Sequence, residues 1–398
     1  MTQEEIAGLG PALVDYLGRF RGCFLRQSTA THFNTYCRGL LSDLPRKSVE
    51  PIALESGTAV RTLQEFLVTS LWSYEDAREL LQRRLAGVLG DLPADDLGCV
   101  GVFDETSCQK WGEQTPGVQR QYLGCVGKID NGIVTVHVGV AKGTFQALLD
   151  ADLFLPEAWA NDRERCRRAD IPDHVTYRAK WQLALEQYQR LRGNGVQFDW
   201  LVFDEYYGSK VPLLWVLARL GQKYVAEVPV NFTVRERVGG SPHRADELQP
   251  GRVRPDWGRF RLARKTVADQ LWRATSRLVL VGEVEQVLIT TVNDRTGEVK
   301  YFVSNAVDEP LGRLMRVAFR RATIEHAFRL AKQEVGLMHY EGRHYTGLMR
   351  HLVLALIVLG FVAEHTERLR GEKPTGDGGA GVPGVEPAVR RRVSSSAA

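Results

Sequence analysis

Residues 200–204 read Trp-Leu-Val-Phe-Asp, and residues 99–104 read Cys-Val-Gly-Val-Phe-Asp. Each is a short apolar strand core that ends at an acid, Asp104 in one and Asp204 in the other. Between them, Arg120–Gly127 and Ile133–Ala141 predict a hairpin across Asn131-Gly132, and a further strand near Ala147–Leu155 stops at Pro156. Residues Arg178–Arg192 carry Trp181, Leu183, Ala184, Leu185 and Tyr188 on the apolar side of a helix. After Asp204 come a helix, Val211–Leu220, and a strand, Tyr224–Val228.

Three strands, a helix, a strand, a helix and a strand is the order of a ribonuclease-H-like α/β core, expected here over residues 96–229 and completed by helices over residues 307–370. That order puts Asp104 and Asp204 at equivalent strand ends, where open α/β sheets place their chemistry. Residues 230–306 interrupt the pattern. Arg259–Ala263, Leu278–Val281, Val287–Val292 and Lys300–Val303 predict antiparallel strands with a turn at Asp294–Gly297, a β-rich insertion. A long helix resumes after Pro310 and runs to about Val335, with Gly336 as its terminator, and a last helix covers about Gly347–Arg370.

Residues 1–95 show only helical spacing, as in Leu63, Phe66, Leu67, Leu71 and in Ala77, Leu80, Leu81, Leu85, with Ser73 as a cap. They predict a small all-helical domain, either DNA-binding or simply packed. The tail, residues 371–398, is rich in Gly, Pro, Ser and Arg and reads as disordered.

The chain of 398 residues is 44% hydrophobic and 25% charged, which excludes a disordered protein, and its net charge of +4 leans only mildly toward polyanionic partners. Six cysteines without a CxxC pair argue against a zinc ribbon and a disulfide-stapled secreted domain, and suit a reducing cytoplasm. The N-terminus lacks the pattern of a signal peptide. The longest uncharged apolar run, Leu352–Ala363, is 12 residues. Spanning a bilayer takes about 20, so a buried helix and no membrane partner are expected.

Phosphodiester cleavage needs one oxygen activated and another stabilised at the same phosphorus, a task for two hard divalent ions about 3.5 to 4 Å apart. Carboxylates from separate elements suffice to hold them. The helix before Gly336 offers Glu325 among cations: Arg321, Glu325, Phe328, Arg329 and Lys332 fall along one side. The stripe suits a metal-bound phosphate with the nucleic-acid backbone beside it; on a generic helix it would be a solvated salt-bridge face.

These residues resemble the DDE transposases of bacterial insertion sequences, in the group with a Tyr-x2-Arg-x3-Glu-x6-Lys signature and a β-rich insertion before the glutamate. Arg321, Glu325 and Lys332 match its last three positions, while the tyrosine position is Ala318. Arg120–Asn131, Leu153–Pro172 and Gly336–His351 extend the resemblance, which is nearest to the insertion sequence 701 group. The resemblance implies a catalytic and metal-holding triad of Asp104, Asp204 and Glu325. It implies two Mg²⁺ ions with Mn²⁺ as a substitute, cleavage at element ends, and strand transfer into target DNA. The partners would be double-stranded DNA, at terminal inverted repeats and target, and further copies of the chain in a homo-oligomer on DNA, in a nucleoid-associated cytoplasmic setting. Two rivals share the pattern: a transposase-derived DNA-binding or regulatory protein without catalysis, for which Ala318 leaves room, and a ribonuclease-H-like nuclease that does not join strands.

DNA contacts are expected from Arg321, Arg329 and Lys332, and from Arg120 and Lys128 near the active end of the sheet. Glu105 and Glu205 point away from their aspartate neighbours by strand alternation and read as structural or solvent-facing. Tyr206 and Tyr207 are either packed or stacked on DNA. His326 lies about 100° around the helix from Glu325 and is a poor ligand. Trp257 and Trp272 read as core or as receivers of a flipped base. Arg343 and Arg350 would bind phosphate or cover the helix beneath.

Overall fold

The structure, a computed structural model, describes residues 3–93, 95–248, 258–262, 270–372 and 385–387. In chain order its elements are α1 (Gln3–Gly18), α2 (Gln27–Leu41), α3 (Val49–Glu55), α4 (Val60–Val68), α5 (Tyr74–Asp91), β1 (Val100–Gln109), β2 (Gln119–Leu123), β3 (Lys128–Lys142) and β4 (Phe145–Leu153). Then follow α6 (Glu157–Asn161), α7 (Arg163–Arg168), α8 (Lys180–Gly193), β5 (Trp200–Phe203), α9 (Glu205–Gly208), α10 (Val211–Arg219) and β6 (Tyr224–Val228). The remainder is β7 (Thr233–Arg235), β8 (Pro242–Arg244), β9 (Gly258–Leu262), β10 (Gln270–Val281), β11 (Val284–Asn293), β12 (Val299–Ser304), α11 (Leu311–Gln333), α12 (Tyr345–Glu372) and β13 (Val385–Pro387). This is a mixed α/β architecture with strands paired in both senses. Two compact units divide it, one drawn from Met1–Ala94, Val102–Gln197 and Thr323–Pro374, the other from Asp95–Gly101, Phe198–Ala322 and Thr375–Ala398.

In the first unit β3 pairs antiparallel with both β2 and β4. The hairpin turn is not at Asn131-Gly132, as the sequence suggested, but at residues 124–127, where Gly127 takes φ +68° and its N–H bonds Leu123 O at 2.9 Å. Asn131-Gly132 stays in the strand for a physical reason. The Asn131 amide donates to Lys110 O and Gly112 O, and a Cβ on Gly132 would stand 2.3 Å from Cys108 O. Tight packing, not a turn, selects that glycine. β1 likewise runs past Asp104 to Gln109.

Helices α2, α4 and α5 pack with α12, and α12 lies along β4. α12 is apolar and long enough to cross a bilayer by length and composition, yet 83% of its most apolar window is buried within the protein. Arg350 on this helix is 5% exposed, and its guanidinium donates to Phe66 O, Leu67 O, Ser70 O and Trp72 O. It therefore satisfies carbonyls at and beyond the C-terminal end of α4, groups the helix cannot pair itself. Of its two expected roles, covering a helix is the one the structure supplies.

Polar groups lock other joints. On β4, Asp150 is fully buried and Asp152 half-buried. Arg190 of α8 bonds both, through Nε at 2.8 Å and Nη2 at 2.6 Å, and Arg78 of α5 reaches Asp152 at 3.2 Å. Gln82 and Gln187 donate to Asp150 and Asp152. Burial alone would raise the Asp152 carboxyl, but Arg190 and Arg78 outweigh it and hold it below the usual range. His351, fully buried, faces Tyr36 through Nδ1 at 2.9 Å and Gly336 O through Nε2 at 3.0 Å, so Nε2 carries the proton and the tyrosine donates to Nδ1.

The C-terminal half of α11 rests on β3. Ile324, Ala327, Phe328 and Ala331 are buried, and Phe328 meets the His137 ring edge-on at 5.3 Å. The register of β3 against β4 slips between Val138 and Gly139, and a Cβ on Gly139 would stand 2.4 Å from Ile324 Cδ1. A bulge plus an absent side chain thus admits the helix.

In the second unit β5 and β6 are parallel, and β12 lies antiparallel on β6, joining β11 and β10 to it. The expected β-rich stretch is strand-rich, with β7 and β8 added to the four foreseen strands. In the tail expected to be disordered, Gly371 and Glu372 extend α12, and Val385–Pro387 pairs with β9. Trp272 is 2% exposed and packs on Phe319 at 5.3 Å, which makes it core; Trp257 lies outside the described residues.

Two tests follow from this packing. Burial pushes the imidazole of His137 down to about 3 and that of His351 to about 4. Because the unfolded chain takes up these protons near pH 6.5 and the native state does not, stability is full above that pH. It should fall by roughly 1 to 2 kcal/mol per pH unit for each imidazole as pH drops toward 4. Denaturant titrations of His351→Gln across that window should show a shallower acid limb than wild type; an identical slope would remove His351 from the account. Secondly, Gly139→Ala should cost about 1 to 3 kcal/mol by overpacking, and Ile324→Ala in the same chain should give a non-additive cycle of at least ~0.5 kcal/mol. Additive losses would mean that the contact does not seat the helix.

Candidate active site

Asp104 and Asp204 follow the same local logic. In the first unit Val102 and Phe103 bury themselves in the sheet, leaving Asp104 half-buried next along β1, where its Oδ1 accepts the Glu105 N–H at 2.8 Å. Glu105 is ion-paired with Lys180 at 2.7 Å, in line with a structural role. In the second unit all four residues of β5 are buried and Asp204 ends the strand. Its Oδ1 accepts the N–H groups of Tyr206 at 3.1 Å and Tyr207 at 3.4 Å, so Asp204 is the N-cap of α9. The backbone there is close: a Cβ on Gly208 would stand 1.8 Å from Glu227 O.

Arg321, on the N-terminal part of α11, brings Nη2 to 3.7 Å from Asp204 Oδ2, both side chains roughly a quarter exposed. This is a join the sequence spacing did not foresee. Tyr207 is buried and Tyr206 half-buried, with Lys210 Nζ 4.8 Å from the Tyr206 ring. Glu205 is exposed.

Glu325 is exposed, directly after Ile324, which faces Gly139. Arg329 is exposed and donates to His326 Nδ1 at 2.8 Å, which engages His326 with its helical neighbour. Lys332 is half-buried, its Nζ 5.9 Å from the Phe328 ring. The proposed stripe is therefore corrected at one position: Phe328 points into the core against His137, and Glu325 and Arg329 stand on the open side. Arg120 and Lys128 are exposed on the β2–β3 hairpin, Lys128 lying 3.3 Å from Asp130. Ala318 is 7% exposed, in the unit's interior, and Phe319 packs on Trp272 and Phe302. Arg343 is exposed.

Among the described residues no three His, Cys, Asp or Glu side chains form a group that could hold a metal ion. The donor chemistry of Asp104, Asp204 and Glu325 is nevertheless of one kind, carboxylate oxygen without thiol or imidazole, which suits a hard divalent cation such as Mg²⁺. Both aspartates retain partial exposure. Sequence reasoning missed the Asp150–Asp152 cluster and the Arg320–Asp95 contact at 3.4 Å. Two acids at alternate positions inside an apolar strand were the available signal for the first, since such groups demand buried counter-charges.

A family described as DDE superfamily endonuclease matches residues 19–283, a span that holds Asp104 and Asp204 and ends before α11. The chain is also similar to a curated protein of Microchaete diplosiphon, described as probable transposase for insertion sequence element IS701. The two are 34% identical over 200 residues, 49% of this chain and 48% of that protein, so the match spans about half the length of each. With its strand-borne aspartates inside a match that spans about two thirds of its length, the chain belongs to the DDE superfamily of endonucleases.

Proposed function

We propose that the chain is a DNA transposase that cleaves duplex DNA at the ends of a mobile element and joins the freed ends to target DNA. The observation that carries this reading is the family match around Asp104 and Asp204, followed on α11 by Arg321, Glu325 and Lys332 at the spacing Arg-x3-Glu-x6-Lys. The core would be ribonuclease-H-like, with residues 230–306 as its β-rich insertion and residues 1–95 as a helical region, either DNA-binding or packed on the core.

In this reading Asp104, Asp204 and Glu325 hold two divalent cations, Mg²⁺ or Mn²⁺, which when bound activate the attacking oxygen and stabilise the leaving one. Water attacks a phosphorus at the element end and releases a 3′-hydroxyl. That hydroxyl then attacks a target phosphodiester, so one P–O bond forms for each one broken. Asp204 is held by its cap bonds to α9, which fixes the carboxylate before any substrate arrives. Arg321, 3.7 Å from Asp204, would offset the charge of that carboxylate and share its own with a phosphate. Arg329 and Lys332 would bind the backbone beside the scissile group, and Arg120 and Lys128 would do so along the hairpin. Two element ends must be handled together, which calls for a homo-oligomer on DNA.

The buried Ala318 favours one rival, a transposase-derived DNA-binding protein without catalysis, because the signature tyrosine is missing. One experiment separates the two. Asp104→Ala, Asp204→Ala and Glu325→Ala should each abolish Mg²⁺-dependent nicking of DNA carrying the flanking inverted repeats while retaining gel-shift affinity. Persistence of cleavage in any of them would displace that residue from the triad, and a wild-type chain that binds but never cleaves would establish the rival. Lys332→Ala should weaken DNA binding and reduce the slope of log K against log salt by about 0.9; an unaltered slope would take Lys332 off the phosphate backbone.

A further inference from the structure

The β2–β3 hairpin and the loop before it expose more apolar surface than a solvated edge requires. Trp111 is 86% exposed, Tyr122 62%, Ile129 61% and Val126 39%, all in the first unit. Tyr122 and Ile129 are cross-strand partners, so they share a face of the hairpin, and Arg120, two residues from Tyr122, shares it too. The loop bearing Trp111 is tied to this hairpin. Lys110 N–H bonds Asn131 O at 3.0 Å, and the Asn131 amide bonds Lys110 O and Gly112 O.

Cations surround these apolar groups. Arg120 and Lys128 are exposed on the hairpin. Arg165 of α7 donates to Glu113 O in the same loop at 3.0 Å while its guanidinium lies 3.7 Å from the centre of the Trp159 ring, and Arg167 and Arg168 are exposed beside it. Acids nearby include Glu113, Glu164, Asp162 and Asp130; Asp162 caps α7 through the Arg165 N–H, and Asp130 is engaged by Lys128 and Gln109. Arginine and lysine interleaved with exposed aromatic and aliphatic side chains match a nucleic-acid backbone and bases together. A second copy is the poorer occupant: a two-fold contact would set each copy's Arg120 and Lys128 against the partner's same patch.

We propose that Tyr122 and Ile129, flanked by Trp111, form a wedge that enters duplex DNA and unstacks a base step, with Arg120, on the same face, on the adjacent phosphate. This rests on the transposase reading and adds residues to it. The Trp111 loop starts six residues beyond Asp104 along the β1 direction. That is about 20 Å of extended chain.

The test uses the full chain and inverted-repeat duplexes with 2-aminopurine stepped through successive positions. Wild type should raise the fluorescence at one step. Tyr122→Ala/Ile129→Ala, which changes two exposed residues and should keep the wild-type melting curve, should lose that rise and bind about five-fold or more weakly. Arg120→Gln should lower the salt slope by about 0.9. Cys125, exposed at the hairpin turn, provides a readout independent of catalysis: bound duplex should slow its alkylation by iodoacetamide. The wedge is overturned if the double variant keeps the fluorescence rise. It is also overturned if Cys125 protection follows protein concentration and ignores DNA, the mark of contact between copies. A wild-type chain that shifts no duplex would sink the transposase reading itself, and the wedge with it.

Discussion

The close approach of α11 to β3 at Gly139 is the constraint on which the catalytic reading depends. A helix that carries a functional acid must be held at a fixed height above its sheet, because a displacement of about 1 Å can cost a hundred-fold in rate. Here the height is set by omission. Gly139 has no side chain, the strand bulges beside it, and Ile324 occupies the space that a Cβ would claim. Phe328, one turn on, fills the next gap against His137. Glu325 lies between these two buried residues in sequence, so its position follows from apolar packing that it does not share.

The same unit shows how a chain keeps such a joint rigid with polar groups. Isolated charges in a protein interior are costly, and ion pairs there stabilise only when geometry and hydrogen bonds are complete. Asp150 and Asp152 meet that condition through two arginines and two glutamines drawn from α5 and α8. Arg350 meets it through four carbonyls. Lys47 adds a third instance, donating to Leu40 O, Ser42 O and Glu334 O near the C-terminal ends of α2 and α11. Each bond set ties elements far apart in sequence. The N-terminal helices are thereby stitched to the helices and strands of the last and middle parts of the chain.

Much of this was legible in the sequence, and what was not has physical reasons. β5 and β6 were found at their observed bounds, because continuous apolar runs ended by a polar residue leave little freedom. Ser73 was found as a cap, and its Oγ does accept the Asp76 N–H at 2.9 Å. The hairpin turn was misplaced because Asn-Gly is a strong local signal, while the contact that keeps Gly132 within a strand comes from Cys108, 24 residues earlier. The extension of β1 past Asp104 was missed because Asp104, Glu105 and the polar residues after them interrupt the apolar run. Arg350 could not be assigned between phosphate and packing, since its partners are backbone carbonyls, which leave no trace in residue identity. The arginine beside Asp204 was named for DNA, and its pairing with a carboxylate depends on how α11 is placed.

Burial separates the acids into two kinds. Asp150 is fully buried and ringed by cations and amides, which satisfy it and leave no room for a substrate. Glu325 is exposed, and Asp104 and Asp204 are only half-buried. An acid that serves the fold is stabilised by completing its hydrogen bonds inside the protein. An acid that serves phosphate chemistry must instead keep coordination capacity for a cation and water. Asp204 shows the division within one carboxylate: Oδ1 takes two backbone N–H groups, while Oδ2 faces Arg321 at a distance too long for a tight ion pair. A guanidinium held at that range offsets the negative charge of Asp204 while leaving its Oδ2 without a tight bond to it, the balance that the proposed role of Asp204 beside a cation and DNA would need.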